Sequence, residues 1–374
     1  MLNIKRDENL SIKKLLKEID YSTNNIFIED NIHTLNAIKE SGKKIDLIYI
    51  DPPYNTKKNV FKYKDNRKTD EWITFIYERL ILAEEILSDD GVILASIDDN
   101  HYAYLKLIMD EIFGLRNFVA NFIWKKSHTV KNDKSGISTQ QEYVLCFAKN
   151  HKKMFFNQEP IGEDYIKKAY RYKDEVGTYR VVPLYKDKNK TVYDIVSPKG
   201  QVWTKGWNYN KEGFENLIKN DLIYWGKTGD NCPSKKVYLK DVMEKSYGSM
   251  LPVSVGYTGD GKKALKNLDF HGNTFLYAKP VELIQHFLTI FSHKESLVLD
   301  FFAGSGTTGE AVINKNIEDG GDRKFILATN NEDDIADNIT IPRIKRILEK
   351  RNIDDSNLSI SDSVSFEDSV EGEL

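Results

Sequence analysis

Four consecutive residues, Asp51, Pro52, Pro53 and Tyr54, combine a carboxylate, a stiffened backbone carbonyl and an aromatic ring. They follow the apolar run Ile45-Asp46-Leu47-Ile48-Tyr49-Ile50, which has the length and composition of a buried strand about to end in a turn. Two prolines fix φ and remove two N–H donors that would compete for nearby acceptors. This set suits an exocyclic amine on a nucleobase. Such a nitrogen has its lone pair delocalised into the ring and is a poor nucleophile until acceptors hold its hydrogens. Asp51 and the Pro52 carbonyl can each take one N–H, and Tyr54 can stack on a base taken out of a helix. The local alternative is a strand that ends in a Pro-Pro turn with an aspartate cap.

A second cluster occupies residues 297–309. Leu297-Val298-Leu299 reads as a short strand, Asp300 to Gly306 as a glycine-rich turn, and a helix starts at about Thr308. Gly304, Gly306 and Gly309 satisfy the dinucleotide spacing G-x-G-x-x-G, a weak signal alone. Gly304 and Gly309 also have P-loop spacing, but Glu310-Ala311 stands where Lys-Ser/Thr would meet phosphates, which excludes nucleotide triphosphate binding. A third pattern, D-x-F-x-G-x-G, is matched by Asp300, Phe302, Gly304 and Gly306 and belongs to S-adenosylmethionine loops. A tight strand-to-helix turn without a ligand is the structural alternative. The two clusters together are far more specific than either alone.

With these two clusters the chain resembles the amino-methylating DNA methyltransferases of the β type, in which the catalytic motif comes first and the cofactor loop last. More narrowly it is similar to the modification subunits of type III restriction systems. The resemblance rests on Asp51 to Thr56, on Leu87-Ser88-Asp89-Asp90-Gly91-Val92 and Ser96-Ile97-Asp98-Asp99-Asn100, on Ala278-Lys279-Pro280-Val281-Glu282-Leu283-Ile284, and on Leu299 to Gly309. It runs from about residue 25 to 350.

The resemblance implies direct methyl transfer from S-adenosylmethionine to a base flipped out of double-stranded DNA. DPPY rather than SPPY implies adenine N6; cytosine N4 is the alternative base. Asp51, with Pro52, Pro53 and Tyr54, would bind and activate the amine. Asp300, Phe301, Phe302, Ala303, Gly304, Ser305, Gly306 and Thr307 would form the cofactor loop. Lys279-Pro280 would open a helix that touches the cofactor, unless Pro280 is an ordinary first-turn proline. Asp30 would be either a cofactor-contacting acid or a plain helix cap. The ribose-binding acid expected after the strand 324–328 is missing, because Thr329 stands there; Glu332 is the substitute candidate. Partners to test are double-stranded DNA, a second copy of the chain and a restriction subunit. The chain is shorter than typical type III modification subunits, which makes a solitary methyltransferase the competing reading. A DNA-binding subunit that keeps the fold without activity is a further alternative, against which the intact Asp51, Tyr54 and glycine loop argue.

Composition is compatible with this. Apolar runs are strand-length, so neither a membrane span nor a signal peptide is expected, and a cytoplasmic location follows. Cys146 and Cys232 stand alone and read as reduced thiols; no metal-ligand spacing is present. A net charge of −3 looks unfavourable for DNA, but seven acids and no bases follow Ile353. Residues 151–250 carry 19 Lys/Arg against 13 Asp/Glu, with 16 aromatics interleaved, the composition of a DNA-reading surface. Lys125, Lys126, Trp203, Lys205 and Trp207 are the DNA-contact candidates; a solvated face over an aromatic core is the alternative.

The elements that must position these residues read as α/β: a doubly wound, mostly parallel Rossmann-like methyltransferase sheet with an inserted, irregular α+β target-recognition region. Strands are expected at 25–30, 45–50, 92–97, 118–124, 142–147, 297–302 and 325–329, with helices from 32, at 72–87, 103–113 and 280–291, after Gly306, and near 341–350. Residues 1–150 form the catalytic half, 151–268 the recognition region, 269–350 the cofactor-binding half and 351–374 an acidic, solvated tail. In such sheets ligands sit at strand C-termini where the strand order reverses, so the two motifs can face each other across one crevice.

Overall fold

The computed structural model describes residues 14–17, 19–56, 67–130, 136–186, 188, 191–242, 244–271 and 277–362. Two compact units are present, a larger one from Met1–Asn157 with Gly248–Leu374 and a smaller one, Gln158–Tyr247. The smaller unit therefore begins later and ends earlier than the 151–268 region expected from composition. Residues 248–268, including the helix Thr258–Lys266, belong to the larger unit.

In the larger unit the strands are β1 (Asn24–Ile28), β2 (Ile45–Ile50), β3 (Leu87–Ile97), β4 (Phe118–Lys125), β5 (Gln141–Ala148), β6 (Leu297–Asp300), β7 (Lys324–Thr329) and β8 (Leu358–Asp362). They form one sheet in the order β8-β1-β7-β6-β2-β3-β5-β4. All neighbours are parallel except β3–β5 and β5–β4. The chain steps outward from the central pair β6–β2 in opposite directions, to β7 on one side and β3 on the other, so the order reverses between them.

Both faces of the sheet are covered, which explains why β2 and β6 read as near-continuous apolar runs. Helices α1 (Asn31–Ser41), α2 (Thr69–Ile86) and α3 (Tyr102–Phe113) pack on one face, where Ile48, Ile50, Leu299 and Ile326 meet Leu35, Trp72 and Leu80 in one core. The alternate residues point the other way. Tyr49 meets Phe287 of helix α5 (Val281–Phe291), which follows α4 (Thr258–Lys266). On that side α6 (Thr307–Asp319) lies over β7, and α7 (Ile341–Lys350) closes the layer. No helix among the described residues is long and apolar enough to cross a membrane.

β8 was not expected. Leu358–Asp362 pairs in parallel with β1 at the sheet edge, so this part of the acidic end is ordered strand rather than solvated tail. A polar strand is tolerated there because an edge position needs backbone pairing on only one side. Residues 363–374 lie outside the described residues.

The smaller unit holds a four-stranded antiparallel sheet, a hairpin (Val192–Val196 with Val202–Gly206) and a helix Lys211–Lys219, capped by Asn210 through Gly213 N at 2.9 Å. Leu184, Trp207, Phe214, Leu217 and Ile223 make its core.

Gly309 lies where α6 crosses β7; a Cβ there would stand 2.6 Å from Ile344 Cδ1 and 3.1 Å from Leu327 Cδ1. Gly309→Ala is expected to destabilise the chain by about 1–3 kcal/mol in a melting experiment, because overpacking outweighs the gain in helix propensity. A more stable variant would show that α6 does not rest on this contact.

Candidate active site

Because β2 and β6 are hydrogen-bonded neighbours (Leu47↔Val298, Ile48↔Leu299), Asp51 and Asp300 emerge side by side at strand C-termini. One cleft takes in Asp30, Asp51, Lys279, Asp300, Gly304 and Glu332.

The Asp51 turn is fixed from two sides. Trp72 donates its indole N–H to the Pro53 carbonyl at 2.7 Å. Asn55 adopts φ 54°, a left-handed conformation that asparagine tolerates, and its Nδ2 lies 3.1 Å from His101 Nε2. The turn leaves the Asp51 side chain 28% exposed to the cleft.

Asp51 does not stand alone. Lys279 Nζ is 2.8 Å from Asp51 Oδ1 and 3.3 Å from Glu142 Oε2. The Tyr54 hydroxyl accepts from Lys279 at 2.8 Å. Its own proton has two carboxylate acceptors within reach, Asp51 Oδ1 at 2.8 Å and Glu142 Oε2 at 3.2 Å. Lys126 reaches the other Glu142 oxygen at 3.2 Å. Burial raises the Asp51 carboxyl above its ordinary value, against the pull of the Lys279 ammonium. For Glu142 burial acts in the same sense, but Lys279 and Lys126 overcome it and hold the group below the usual range. Burial alone would discharge Lys279; Asp51 and Glu142 reverse that and keep it charged.

Asp300 sits in a different environment. It is 3% exposed and has no cation against it among the described residues; Phe302 N donates to Oδ1 at 3.0 Å and the Thr308 hydroxyl donates to Oδ2. Burial pushes its carboxyl up to about 7, against those two hydrogen bonds. Asp300 thus orders the loop that follows it. That loop turns through Gly304 (φ 48°) and Gly306 (φ 75°), and a Cβ at Gly306 would also crowd Thr340, standing 3.2 Å from its Cγ2. Arg343, fully buried, supports the loop from below: it donates to Glu310 at 2.6 Å, to Ser305 Oγ at 3.0 Å and to Thr307 Oγ1 at 2.8 Å. The Thr340 hydroxyl donates to the Gly304 carbonyl from a single π-helical turn, Ala336–Thr340.

The remaining candidates separate. Asp30 caps α1 through Ile32 N at 3.0 Å, pairs with Arg79 at 2.6 Å and still faces the cleft, so the cap and the cleft position coexist. Pro280 is the N-cap of α5 rather than its first helical residue, which leaves Lys279 just outside the helix and turned to Asp51. Phe301 is fully buried in the core, and its carbonyl accepts from Asn31 Nδ2; Phe302 packs on Phe75 at 5.9 Å. Ala303 N donates to the Ala328 carbonyl at 3.2 Å, binding the loop to β7. Glu332 lines the cleft beyond Thr329 and Asn330.

Among the DNA-contact candidates, Lys125 is exposed at the end of β4 and Lys126 is paired with Glu142. In the smaller unit Trp203 is half-buried, with its indole N–H on the Asp230 carbonyl at 3.1 Å, and the Lys205 ammonium lies 5.3 Å from the Tyr185 ring. Trp207 must be corrected: it is 1% exposed at the centre of the smaller core and donates to the Tyr193 carbonyl at 2.7 Å, so no nucleic acid can reach it. Glu142, Arg79 and Arg343 were missed. Glu142 begins a run that reads only as a strand, and no local spacing ties it to Asp51.

Residues 45–336 match the model of the DNA methylase family N6_N4_Mtase, and the chain belongs to that family. It is 34% identical over 366 residues to the type III restriction-modification enzyme StyLTI Mod subunit of Salmonella typhimurium, covering 85% of this chain but only 55% of that one. It is 30% identical over 368 residues to the type II methyltransferase M.KpnI of Klebsiella pneumoniae, covering 86% of this chain and 84% of its relative. Among solved structures it is similar to M1.HpyAVI in complex with SAM, at 17% identity and a TM-score of 0.39 over 88% of this chain and 98% of that one. The chain thus spans little more than half the length of the type III subunit it matches.

The raised Asp300 carboxyl has a consequence for stability. An unfolded chain releases this proton near 3.8 and the folded one near 7, so the folded state binds more protons between those values and loses stability as pH rises through that window. Asp300→Asn removes this dependence. Melting from about pH 4 to about pH 8 should give a flatter profile for the variant than for the unaltered chain. An equal slope in both would refute the assignment.

Proposed function

We propose that this chain is an S-adenosylmethionine-dependent DNA methyltransferase that modifies an exocyclic amino nitrogen, N6 of adenine in double-stranded DNA. The observation that carries the reading is the side-by-side emergence of Asp51 and the Asp300–Gly306 loop into one cleft. Membership of the DNA methylase family supports it independently.

The residues of the cleft fit the cofactor. Gly304 and Gly306 let backbone approach a ligand, the N-terminus of α6 offers N–H groups to a carboxylate, and Glu332 with Thr329 and Asn330 offers acceptors for a ribose. S-adenosylmethionine bound there would supply an electrophilic methyl group. Asp51 and the Pro52 carbonyl hold the N–H bonds of the target amine, which localises its lone pair and accommodates the charge that develops on nitrogen. Tyr54 supplies a ring for the extruded base. Asp51 works as an acceptor, so it must be ionised, and Lys279 favours that state.

Asp-Pro-Pro-Tyr favours adenine; N4 of cytosine is the alternative within the same chemistry. The Salmonella relative is a subunit of a type III restriction-modification enzyme, which makes a restriction subunit a proposed partner. M.KpnI is a type II methyltransferase, which makes action without one the competing proposal. Double-stranded DNA is the proposed substrate in both cases, and a second copy of the chain is a proposed partner in either.

Incubation with labelled S-adenosylmethionine and mixed-sequence duplex DNA, followed by nucleoside analysis, should yield N6-methyladenine; N4-methylcytosine would overturn the base and keep the mechanism. Asp51→Ala should lower transfer by roughly 100-fold or more while cofactor affinity changes by less than about threefold. A parallel collapse of cofactor binding would remove Asp51 from the amine.

A further inference from the structure

Lys279 and the Tyr54 hydroxyl both bond Asp51 Oδ1, so an incoming amine must use Oδ2 or compete with the ammonium for Oδ1. Lys279 Nζ lies 2.8 Å from Oδ1, with its side chain 10% exposed, so a buried cation rests on the acceptor itself. As the amine is methylated it gains positive charge, and a fixed ammonium beside it would raise the barrier. The geometry supplies a second seat for that ammonium. Glu142 Oε2 is 3.3 Å from the same Nζ, and Glu142 shares the Tyr54 hydroxyl with Asp51.

We propose that Lys279 and Glu142 are a positioning pair for the Asp51 acceptor: Lys279 holds Asp51 ionised, and Glu142 takes the ammonium when the target amine bonds to Asp51. This rests on the methyl-transfer reading above. The shift needs little movement, since both carboxylates are already within reach of one nitrogen. Charge stays balanced throughout, because Asp51 and Glu142 face Lys279 and Lys126, two anions against two cations. Lys126 keeps Glu142 anionic while it waits. Trp124, on the same strand as Lys125, walls Lys279 at 5.7 Å from its ring and donates its own N–H to the Gly256 carbonyl at 2.8 Å. The other titratable groups facing Asp51 are Tyr49, Tyr54 and Asp300, with Glu29, Asp30, Arg67 and Arg79 across the cleft. Tyr49 is occupied with Ser96 Oγ at 2.8 Å, and Arg79 with Asp30.

The pair predicts effects of opposite sign on one group. Losing the cation makes Asp51 harder to ionise; losing the Glu142 charge makes it easier. In a chain carrying carboxyl-labelled aspartate, with the Asp51 signal identified by its loss in Asp51→Asn, the Asp51 midpoint should rise by roughly one pH unit or more in Lys279→Met and fall in Glu142→Gln. Lys279→Arg should leave it near its original place. The acid limb of kcat/KM for methyl transfer to duplex DNA should move in the same directions, and Glu142→Gln should lower kcat by roughly tenfold or more, because Lys279 then has no second seat. An Asp51 midpoint indifferent to both substitutions overturns the pair, as does a Glu142→Gln enzyme with full kcat. If Lys279→Met does not fold, Glu142→Gln decides alone, since a purely structural Glu142 would lower activity without moving the limb. If the unaltered chain transfers no methyl group, the methyltransferase reading fails while the carboxyl titration still decides whether the pair exists.

Discussion

The parallel pairing of β2 with β6 is the constraint on which the site depends. It joins segments that are remote along the chain: Leu297 N donates to the Asp46 carboxylate at 2.7 Å across 251 positions. That bond and the two registered pairs above it set how far each strand runs before it ends. A slip of one residue would turn Asp51 or Asp300 to the opposite face of the sheet. Apolar residues on both faces of both strands make such a slip expensive, since each would exchange one packed surface for another of different shape. The core of the sheet therefore determines the spacing of the two acids.

Within that frame the two acids are given contrasting surroundings. Asp51 faces an ammonium and shares a hydroxyl with Glu142, so the pull of Lys279 opposes the burial that raises its carboxyl. Among the described residues Asp300 meets N–H and O–H donors and no ammonium, and burial pushes its carboxyl up to about 7. An acceptor for a developing cation has to be anionic, whereas a loop-ordering acid has only to accept two hydrogen bonds. Each environment matches one of these demands. The Arg343–Glu310 pair under the glycine loop is a third case: a buried charge kept by its partner, with Nη1 donating to Ser305 and Thr307.

What could be read from the sequence was what lies close together in it. β2, the proline turn, the D-x-F-x-G-x-G loop and the helices α2, α3 and α5 each carry their signal within a few residues, and the strand ends they predict fall within a residue or two of those found for β2 and β7. Glu142 was invisible because its partner Tyr54 is 88 positions away, and an acid at a strand start has no local signature. The resemblance places Lys279 beside the cofactor, and the residue does line the cleft, but its bond to Asp51 has no local signature in the sequence. Trp207 misled because aromatics among lysines have the same composition in a small core as on a binding face; only packing against Phe214 and Leu217 distinguishes them. β8 was hidden by its serines and aspartates, since its stability comes from β1 and not from its own propensity.

Helix α5 connects this chemistry with the point where the chain leaves the larger unit. Lys279 stands immediately before its N-cap, while its last turn receives Asn157: Asn157 N donates to the Ile290 carbonyl at 2.7 Å and its side-chain amide to Thr289 at 2.8 Å. After Asn157 the chain enters the smaller unit, and on its return Ile123 of β4 donates to the Ser249 carbonyl at 2.9 Å and accepts from Leu251 N at 3.1 Å. Both junctions are therefore fastened by backbone hydrogen bonds before the chain departs and after it comes back. Residues Gln158–Tyr247 are thus inserted between two segments that the larger unit's own backbone holds.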